Sequence, residues 1–404
     1  MSFDLFAYRK LQDTAADCED RCDQIEREMR DPKAAKRFAL KQSQAFVDQM
    51  EGFALELEDE LMNFSDVSYK SFVKSESEII TLFYDKFADI PLLSRMDAVA
   101  ETFIDEIETL LNRDLPEEER IPLIEKFRKM YETMDFYVLY NRFLKKEGYQ
   151  TLPRRPLEKR KLRYEDVYPV LYLKYRLSRQ AERSNIKHLV IDEMQDYSRL
   201  QYLIIRRMFS CKMTILGDRA QTMADQQQDV LQFLPGIFGK DLRRIEMRKS
   251  YRNTVEIASY AANLIGVTDL ELFERHGMPV LERDVTDLEA ALREAVDTLF
   301  PEEKTYETAA VIVPDEKTAE RAYLILREIL AEKDFDCEKR LSWLNRDSSS
   351  FKNGLTVTTF YLAKGLEFDQ VFSIFPKDEK REMMMQAQYI AATRALHELR
   401  VYHI

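Results

Sequence analysis

The sequence predicts an α/β fold in which parallel sheets, covered by helices, follow a long helical N-terminal segment. Before Gly217, the 404-residue chain contains only Gly52 and Gly148 among dense Glu, Lys, Leu and Met, and glycine-poor sequence of this kind is typical of long helices. The stretch around Pro153 and Pro156 marks a boundary. Beyond it, short apolar runs alternate with helical patterns, which favours parallel strands covered by helices.

Helix-start and helix-end signals support the N-terminal helices. Asp31 followed by Pro32 resembles an N-cap with proline at the first helical position. Ser75 and Glu78 have the spacing of a capping box. Apolar residues recur at helical spacing from Leu123 through Phe127, Met130, Tyr131, Met134, Tyr137, Val138 and Leu144, ahead of Lys145, Lys146 and Gly148, which suit a helix C-terminus.

The elements beyond the boundary are predicted as follows. Strands are expected at residues 187–191, 213–216, 242–246, 309–313, 355–359, 370–375 and 398–402. Helices are expected at residues 199–208, 254–265, 316–332 and 382–396. In the N-terminal segment, Phe53, Leu55 and Leu57 alternate with other residues, so a short hairpin between residues 53 and 73 is an alternative there.

Composition limits the class of protein. A hydrophobic fraction of 45% with 33% charged residues is typical of a soluble protein and excludes a disordered one. The apolar runs are too short for a membrane span, and MSFDLFAYRK is too polar for a signal peptide. Four cysteines, two of them at Cys18 and Cys22 in a helical segment, favour a reducing cytoplasm. The net charge of −12 weighs against non-specific binding of nucleic acid by the whole surface.

The stretch VIDEMQD, residues 190–196, carries the first chemical signal. A short apolar run ends at Asp192 and Glu193, as in a buried parallel strand that brings two acids to its C-terminal edge. In an enzyme that hydrolyses nucleotides, one such acid holds Mg²⁺ and its neighbour positions the attacking water. Acids favoured by the dipole at a helix N-terminus are the alternative.

Four further stretches carry polar or charged residues that could act together with these acids on a nucleotide. MTILGDRAQ at 213–221 ends in Gln221, an amide suited to binding both a phosphate and a water, and RKSYRNTVEI at 248–257 contains Tyr251 beside Arg252. GLTVTTFYLAKGLEFDQV spans 354–371, and QYIAATRALHEL at 388–399 places Arg394 in a helix-like segment. Taken singly, each has an ordinary structural alternative: a core tyrosine, a surface ion pair, a turn at Lys364 and Gly365, or a solvated helical arginine.

In this order and with these spacings, residues 160–404 resemble the UvrD/Rep-like superfamily 1 helicases and cover that family's motifs II to VI. The HelD-like branch, which remodels bacterial RNA polymerase, is the more similar one. EDVYPVLYLKYRL at 165–177, DEMQDYS at 192–198 and YLAKGLEFD at 361–369 carry that resemblance.

The resemblance implies RecA-like P-loop NTPase-type sheets. It divides the chain into a mostly helical arm or insertion at residues 1–158, the C-terminal part of a first RecA-like domain at 159–250, and a second RecA-like domain at 251–404. It also implies an ATP-dependent DNA helicase or translocase in which hydrolysis drives domain closure. Its cofactors would be ATP and Mg²⁺, and its partners DNA and RNA polymerase, with no membrane.

Site roles follow from the same resemblance. Asp192 would bind Mg²⁺, Glu193 would be the catalytic base, and Gln221 would sense the γ-phosphate. Tyr251 would stack on adenine and Glu367 would bind the ribose, with Lys364 and Gly365 also in the nucleotide site. Arg252 and Arg394 would be arginine fingers, a role that suits a permanently charged planar donor.

Three departures from the family pattern bear on activity. Members that unwind DNA carry aromatics after motif III, whereas TMADQQQDVLQF at 222–233 has none before Phe233, and Tyr361 replaces a histidine ahead of Lys364. These two departures weigh against separation of DNA strands more than against ATP binding and hydrolysis. The third departure is the phosphate-binding pattern GxxxxGK[ST], which is absent: GIFGKD at 236–241 has its glycines too close and ends in Asp241.

Two functions therefore remain in competition. The first is the C-terminal portion of an ATP-dependent motor that begins downstream of its P-loop and is inactive alone, with residues 1–150 as the later part of a helical insertion. The second is a non-enzymatic relative that binds RNA polymerase or nucleic acid and retains an inert motor shell. Retention of the acids, Gln221 and both arginines favours the motor.

Overall fold

The computed structural model divides into two compact units. It describes residues 3–179, 185–222, 230–267, 271–301, 305–333, 335–346, 348, 353–377 and 382–404. Unit 1 consists of the described residues within Met1–Asp192, Tyr197–Leu216 and Val230–Lys240. Unit 2 consists of those within Glu193–Asp196, Gly217–Asp229 and Asp241–Ile404. Among the described residues, no helix is long and apolar enough to cross a membrane.

Unit 1 is mainly helical. Its helices are α1 (Phe3–Lys10), α2 (Arg21–Arg30), α3 (Pro32–Lys41), α4 (Gln44–Glu60), α5 (Glu76–Thr81), α6 (Leu92–Leu111), α7 (Glu117–Arg128), α8 (Phe136–Lys146), α9 (Tyr164–Leu177), α10 (Arg199–Met208) and α11 (Val230–Phe238). Its strands are β1 (Asp17–Cys18), β2 (Val67–Tyr69), β3 (Phe72–Lys74), β4 (Lys161–Leu162), β5 (His188–Ile191) and β6 (Lys212–Ile215). Strands β5 and β6 form a parallel pair.

The predicted caps are present. The Asp31 side chain accepts a hydrogen bond from the backbone N–H of Lys33 at the start of α3, and Ser75 and Glu78 form a reciprocal capping box on α5. The continuous helix expected from Leu123 to Leu144 is wrong in one respect. It is interrupted between α7 and α8, where the Asp135 side chain caps the second helix.

The hairpin alternative is correct only in part. Phe53 and Leu57 are buried on α4, because the apolar residues of that segment meet the core at helical spacing. The hairpin itself is the antiparallel pair β2–β3. Lys70, with φ of 52°, lies in its turn.

A single hydrophobic core joins the helices of unit 1. It contains Leu57 of α4, Phe143 of α8, Leu171 of α9, Ile204 of α10 and Phe233 of α11. Nearly every side chain of α9 is buried, so this helix lies at the centre of the core. The core continues past residue 158, and the division of the chain at residues 158 and 250 stays a prediction.

Unit 2 is built on a parallel six-stranded sheet in the order β11-β12-β10-β13-β14-β9. The strands of unit 2 are β7 (Lys249–Ser250), β8 (Glu271–Leu272), β9 (Leu281–Asp284), β10 (Thr308–Val313), β11 (Leu341–Trp343), β12 (Gly354–Thr359), β13 (Phe368–Phe375) and β14 (Ala395–His403). Strands β7 and β8 form a separate pair outside the six-stranded sheet. The helices of unit 2 are α12 (Val255–Leu264), α13 (Leu288–Asp297), α14 (Glu316–Ala331), α15 (Cys337–Arg340) and α16 (Glu382–Ala392). The predicted α/β class, with parallel sheets and N-terminal helices, is confirmed.

The central strands of this sheet are buried on both faces, as expected for a parallel sheet covered by helices. On one face, Val311 of β10, Val357 of β12 and Phe372 of β13 pack with Leu292 of α13 and Leu326 of α14. Strand β10 is buried over five of its six residues. This explains why its sequence is a continuous apolar run.

Two predictions beyond residue 240 are wrong. Residues 242–248 form no regular secondary structure, so the strand expected at 242–246 is absent. The helix expected at 382–396 ends at Ala392, because residues from Ala395 onward pair with β13 as a strand. Helix α13 and strand β9 were not anticipated.

Candidate functional site

The two acids of the VIDEMQD stretch follow β5 directly. Asp192 is exposed, whereas the Glu193 side chain is about 40% exposed. Glu193 has φ of 53°, a left-handed conformation that costs energy for any residue with a Cβ and often occurs at functional sites. Its Oε2 accepts a hydrogen bond of 2.6 Å from Gln195 Nε2 and lies 3.5 Å from Lys364 Nζ.

Gln195 belongs to the same hydrogen-bonded group as Glu193, although the sequence motifs did not single it out. It is 1% exposed, and while its amide nitrogen donates to Glu193, its Oε1 accepts a bond of 3.0 Å from the backbone N–H of Asp218. A Cβ at Gly217 would lie 2.4 Å from that oxygen and 2.6 Å from the Met194 backbone nitrogen. Only glycine therefore fits at residue 217. The signal in the sequence was an amide between two acids.

Lys364 is held by the acids that follow β5. Its Nζ lies 2.7 Å from each carboxylate oxygen of Asp196 and 3.5 Å from the Gln221 carbonyl oxygen, and its side chain is 8% exposed. Gly365, with φ of +82°, lies in the turn that follows. The turn alternative is thus correct for this pair, and nucleotide binding by Lys364 and Gly365 stays a prediction.

The Gln221 side chain connects Asp218 to Arg394. It ends a short 3-10 segment after β6, and its Nε2 donates to Asp218 Oδ2 over 3.0 Å. Its Oε1 accepts a bond of 3.0 Å from Arg394 Nη2. Tyr389 also meets this group, since burial and then the Asp218 carboxylate raise the pKa of its hydroxyl.

Arg394 is 1% exposed, so the alternative of a solvated arginine is wrong. Burial first, and then the positive charge of Arg252, lowers its pKa to about 10. Its remaining bonds go to the carbonyls of Ile390 and Leu366 and to the hydroxyl of Thr393. No carboxylate among the described residues lies within salt-bridge distance of it. Its hydrogen-bond acceptors are thus neutral oxygens, while the carboxylates of Glu193 and Glu367 act on it from beyond salt-bridge distance and oppose the lowering of its pKa.

The helical placement of Arg394 is also corrected. Arg394 lies in the turn between α16 and β14. Asn253, which is 8% exposed, holds this turn by donating from Nδ2 to the carbonyls of Thr393 at 3.2 Å and Ala395 at 2.7 Å. Because Asn253 directly follows Arg252, it ties the two arginine-bearing segments together.

The remaining predicted residues lie beside Arg252. Arg252 Nε forms an ion pair of 2.7 Å with Glu367 Oε1, both side chains being more than 40% exposed. Tyr251 is 61% exposed, so it is not a core tyrosine. Its ring lies next to that of Phe273, with centroids 5.7 Å apart.

The candidate residues provide only some of the ligands that a nucleotide with bound Mg²⁺ needs. Among the described residues, no group of three or more His, Cys, Asp and Glu side chains could hold a metal. An exposed carboxylate at a strand end suits Mg²⁺, which takes one or two protein carboxylates and completes its shell with phosphate oxygens and water. Asp192 is the candidate carboxylate. The stretch GIFGKD cannot form a phosphate loop that gives Mg²⁺ a Ser or Thr ligand, because its first residue, Gly236, lies inside α11.

Comparison with known proteins identifies the family. The UvrD/REP helicase N-terminal domain matches residues 2–223, more than half of the chain. No curated protein matches the chain.

Solved structures of helicases are also similar. The C-terminal domain of a possible DNA helicase from Lactobacillus plantarun WCFS1 is 23% identical, with 38% of this chain and 88% of that one covered and a TM-score of 0.30. The PRRSV helicase is 15% identical, with coverages of 66% and 45% and a TM-score of 0.31. The arterivirus nonstructural protein 10 helicase, in complex with DNA, is 14% identical, with coverages of 66% and 51% and a TM-score of 0.29.

The chain thus spans about half the length of the two viral helicases. Because all three TM-scores are low, the assignment rests on the sequence match alone. The chain belongs to the UvrD/REP helicase family.

Proposed function

We propose that the chain is the motor portion of an ATP-dependent superfamily 1 translocase of the HelD-like branch, acting on complexes of RNA polymerase and DNA. Glu193 would be the general base and Asp192 the Mg²⁺ ligand. Gln221, Arg252 and Arg394 would stabilise the charge that develops on the transferred phosphoryl group.

The burial of Arg394 is the observation that carries this proposal. A pKa of about 10 leaves the side chain charged at neutral pH, yet its partners among the described residues are neutral oxygens. Glu193 and Glu367 act on this charge only from beyond salt-bridge distance, so its burial is not fully compensated and costs free energy. Such costs recur where a protein prepares a site for a ligand of opposite charge. The terminal phosphate of a nucleotide supplies that charge.

The Gln221 amide supports the same chemistry. Its oxygen accepts from Arg394 and its nitrogen donates to Asp218, so the amide connects the anion site to the segment that follows β6. Asp218 is linked in turn through Gln195 to Glu193. A base, an amide and a guanidinium in one hydrogen-bonded network are the groups that position water against a phosphoryl group.

The 404-residue polypeptide should not hydrolyse ATP by itself. Its sequence contains no GxxxxGK[ST] segment, so it lacks the ring of backbone N–H groups and the lysine that hold the β- and γ-phosphates. Positioning supplies most of phosphoryl-transfer catalysis. The test is ATP turnover, compared with and without such a segment placed ahead of residue 1.

RNA polymerase is the partner proposed for the helical part of unit 1. The support is the resemblance to the HelD-like branch together with acidity, since the chain has a net charge of −12 and a negative surface disfavours DNA. A pull-down with purified polymerase should recover the intact chain and lose a variant without residues 1–150. Recovery of neither protein would contradict the proposal.

A non-enzymatic binding protein is the second candidate, favoured by the missing phosphate loop. An inert shell has no use for a buried arginine that forms no salt bridge with any described residue, since a neutral side chain would replace it at a gain in stability. If Arg394→Met raises the thermal stability of a protein that binds polymerase normally and never turns over ATP, this second function is the correct one.

A further inference from the structure

A short pair of strands places two aromatic rings side by side next to the proposed nucleotide site. Strands β7 and β8 are parallel, with Lys249 opposite Glu271 and Ser250 opposite Leu272. The pairing continues one step further, since the Phe273 N–H donates to the Ser250 carbonyl over 3.1 Å. Tyr251 and Phe273 therefore leave the two strands at the same end.

The two rings are available to a ligand. Their centroids are 5.7 Å apart with an interplanar angle of 37°, and the side chains are 61% and 45% exposed. Lys249 Nζ lies 5.6 Å from the Tyr251 centroid and 5.7 Å from that of Phe273. Exposed rings beside a cation are the groups on which proteins stack nucleobases.

The backbone under the rings is held in place. Arg275 donates from Nη2 to the carbonyls of Arg252 and, over 3.0 Å, Leu396, and its own carbonyl accepts from the Val255 N–H over 2.9 Å. The segment that carries Phe273 is thus bonded to the segment that carries Tyr251 and Arg252. A preorganised platform loses little conformational freedom when a ligand binds.

We infer that Phe273 and Tyr251 form one two-ring platform for the purine base of a nucleotide, with Phe273 as a specificity-determining residue. The inference rests on the proposed function, because it extends the site that contains Tyr251. Because the two ring planes are tilted by 37°, a base stacks flat on one ring and touches the other at its far side. A fused purine is long enough to contact both rings, whereas a single-ring pyrimidine is not, so Phe273 favours purines.

A mononucleotide fits this platform better than a nucleic-acid strand does. Arg252 follows Tyr251 directly and can meet a phosphate, while the Glu367 carboxylate paired with it can accept a hydrogen bond from a sugar hydroxyl. A carboxylate at this point repels a continuous phosphate backbone. Single-stranded nucleic acid is therefore the alternative that the experiment must separate.

The experiment measures binding by the purified 404-residue protein, using fluorescence anisotropy of ethenoadenosine diphosphate at low ionic strength. ADP should displace the probe better than CDP does, and a short oligothymidylate should displace it poorly. Phe273→Ala should weaken binding about 5- to 10-fold, the loss expected for one stacking contact, and should reduce the preference for ADP over CDP. Phe273→Tyr should bind like the parent because it keeps the ring.

Met278→Ala is the matched control, since Met278 is an exposed apolar residue of the same unit at 48% exposure. It should leave probe binding unchanged. If Phe273→Ala binds normally while Tyr251→Ala does not, the two-ring platform is wrong and the proposed function stands. If the parent binds no nucleotide at millimolar concentration, the two-ring platform is overturned, whereas the proposed function is tested separately by turnover of the version that carries a GxxxxGK[ST] segment. If oligothymidylate displaces the probe and ADP does not, the rings bind a nucleic-acid strand instead.

Discussion

The buried guanidinium of Arg394 donates a hydrogen bond of 3.0 Å from Nη2 to Oε1 of Gln221, across 173 positions of the sequence. Gln221 Nε2 donates in turn to the carboxylate of Asp218. The amide orientation is therefore fixed from both sides, with its oxygen facing the cation. This relationship links the segment after β6 to the turn between α16 and β14, both of which belong to unit 2.

Replacement of Arg394 tests whether that cation acts in catalysis. In a version that carries a GxxxxGK[ST] segment ahead of residue 1, Arg394→Ala should slow ATP turnover by roughly 10³-fold or more, as expected for an arginine finger. Steady-state phosphate release is the measurement. Arg400→Ala is the control, because Arg400 is a partly buried arginine on β14 that bonds to Glu398. A near-parental rate for Arg394→Ala would remove Arg394 from the site.

Replacement of Glu193 separates chemistry from binding. In the same version, Glu193→Gln should abolish most turnover and leave nucleotide affinity largely intact, because an amide keeps the shape of the carboxylate but cannot accept the proton of the attacking water. Turnover and equilibrium binding should be measured on the same preparation. Equal losses of affinity and turnover would indicate a structural role for Glu193.

Gly217 is predicted to be irreplaceable on steric grounds. A Cβ there would lie 2.4 Å from Gln195 Oε1 and 2.5 Å from Met194 Cγ, so Gly217→Ala should lower the free energy of unfolding by about 1–3 kcal/mol. Gly52→Ala is the control: Gly52 lies in α4, and nothing lies within 4 Å of the position that an added Cβ would take. That change should stabilise the protein by about 0.5–1 kcal/mol. Urea unfolding that finds Gly217→Ala as stable as the parent would contradict the close packing of Gln195.

The carboxylate of Glu256 should make stability depend on pH. Hydrogen bonds from His276 first, and then from the backbone N–H groups of Glu256 and Gly277, lower its pKa from 4.5 to about 2. A carboxyl whose pKa is lower in the folded state stabilises the fold above pH 4.5, and this stabilisation is lost as the pH falls toward 2. With its side chain 25% exposed, solvent screening leaves about 1–2 kcal/mol.

The measurement is urea unfolding of the parent and Glu256→Gln between pH 6 and pH 3. The parent should be the more stable protein at pH 6, and the difference should shrink as the pH falls below 4.5. His276→Gln should reproduce part of the loss, since it removes the imidazole that lowers the pKa of Glu256 most. A difference in unfolding free energy that stays constant with pH would show that the carboxylate charge of Glu256 contributes nothing.

Local sequence signals correctly predicted the helices and strands that depend on their own residues and not on pairing with distant segments. Helix α10 has the predicted bounds, 199–208, because a capping box at Ser198 and Gln201 precedes a regular apolar face. Strand β10 was anticipated from its apolar run. The helix expected through Arg394 ended early because pairing of β14 with β13 outweighs the helix propensity of Ala395 and Leu396.

The sequence motifs indicated the candidate residues but not the hydrogen bonds that join them, and the functional roles of these residues stay predictions. The motifs indicated Glu193, Gln221 and Arg394, since each lies in a recognisable stretch. The bonds that Gln195, Asn253 and Lys364 make depend on contacts across distant parts of the chain. No local pattern encodes such contacts. The strand expected at 242–246 failed for a related reason: a short segment becomes a strand only where a neighbouring strand pairs with it.

In the proposed function, this chain holds the catalytic groups of an ATP-driven motor but lacks the groups that hold the phosphates. The decisive experiment is steady-state phosphate release, measured side by side on the 404-residue protein and on the version with an added GxxxxGK[ST] segment. We expect no release above the Glu193→Gln background for the first protein, and turnover that Glu193→Gln abolishes for the second. Robust turnover by the 404-residue protein that is lost in its Glu193→Gln variant would contradict the proposal, because another part of this sequence would then be binding the phosphates.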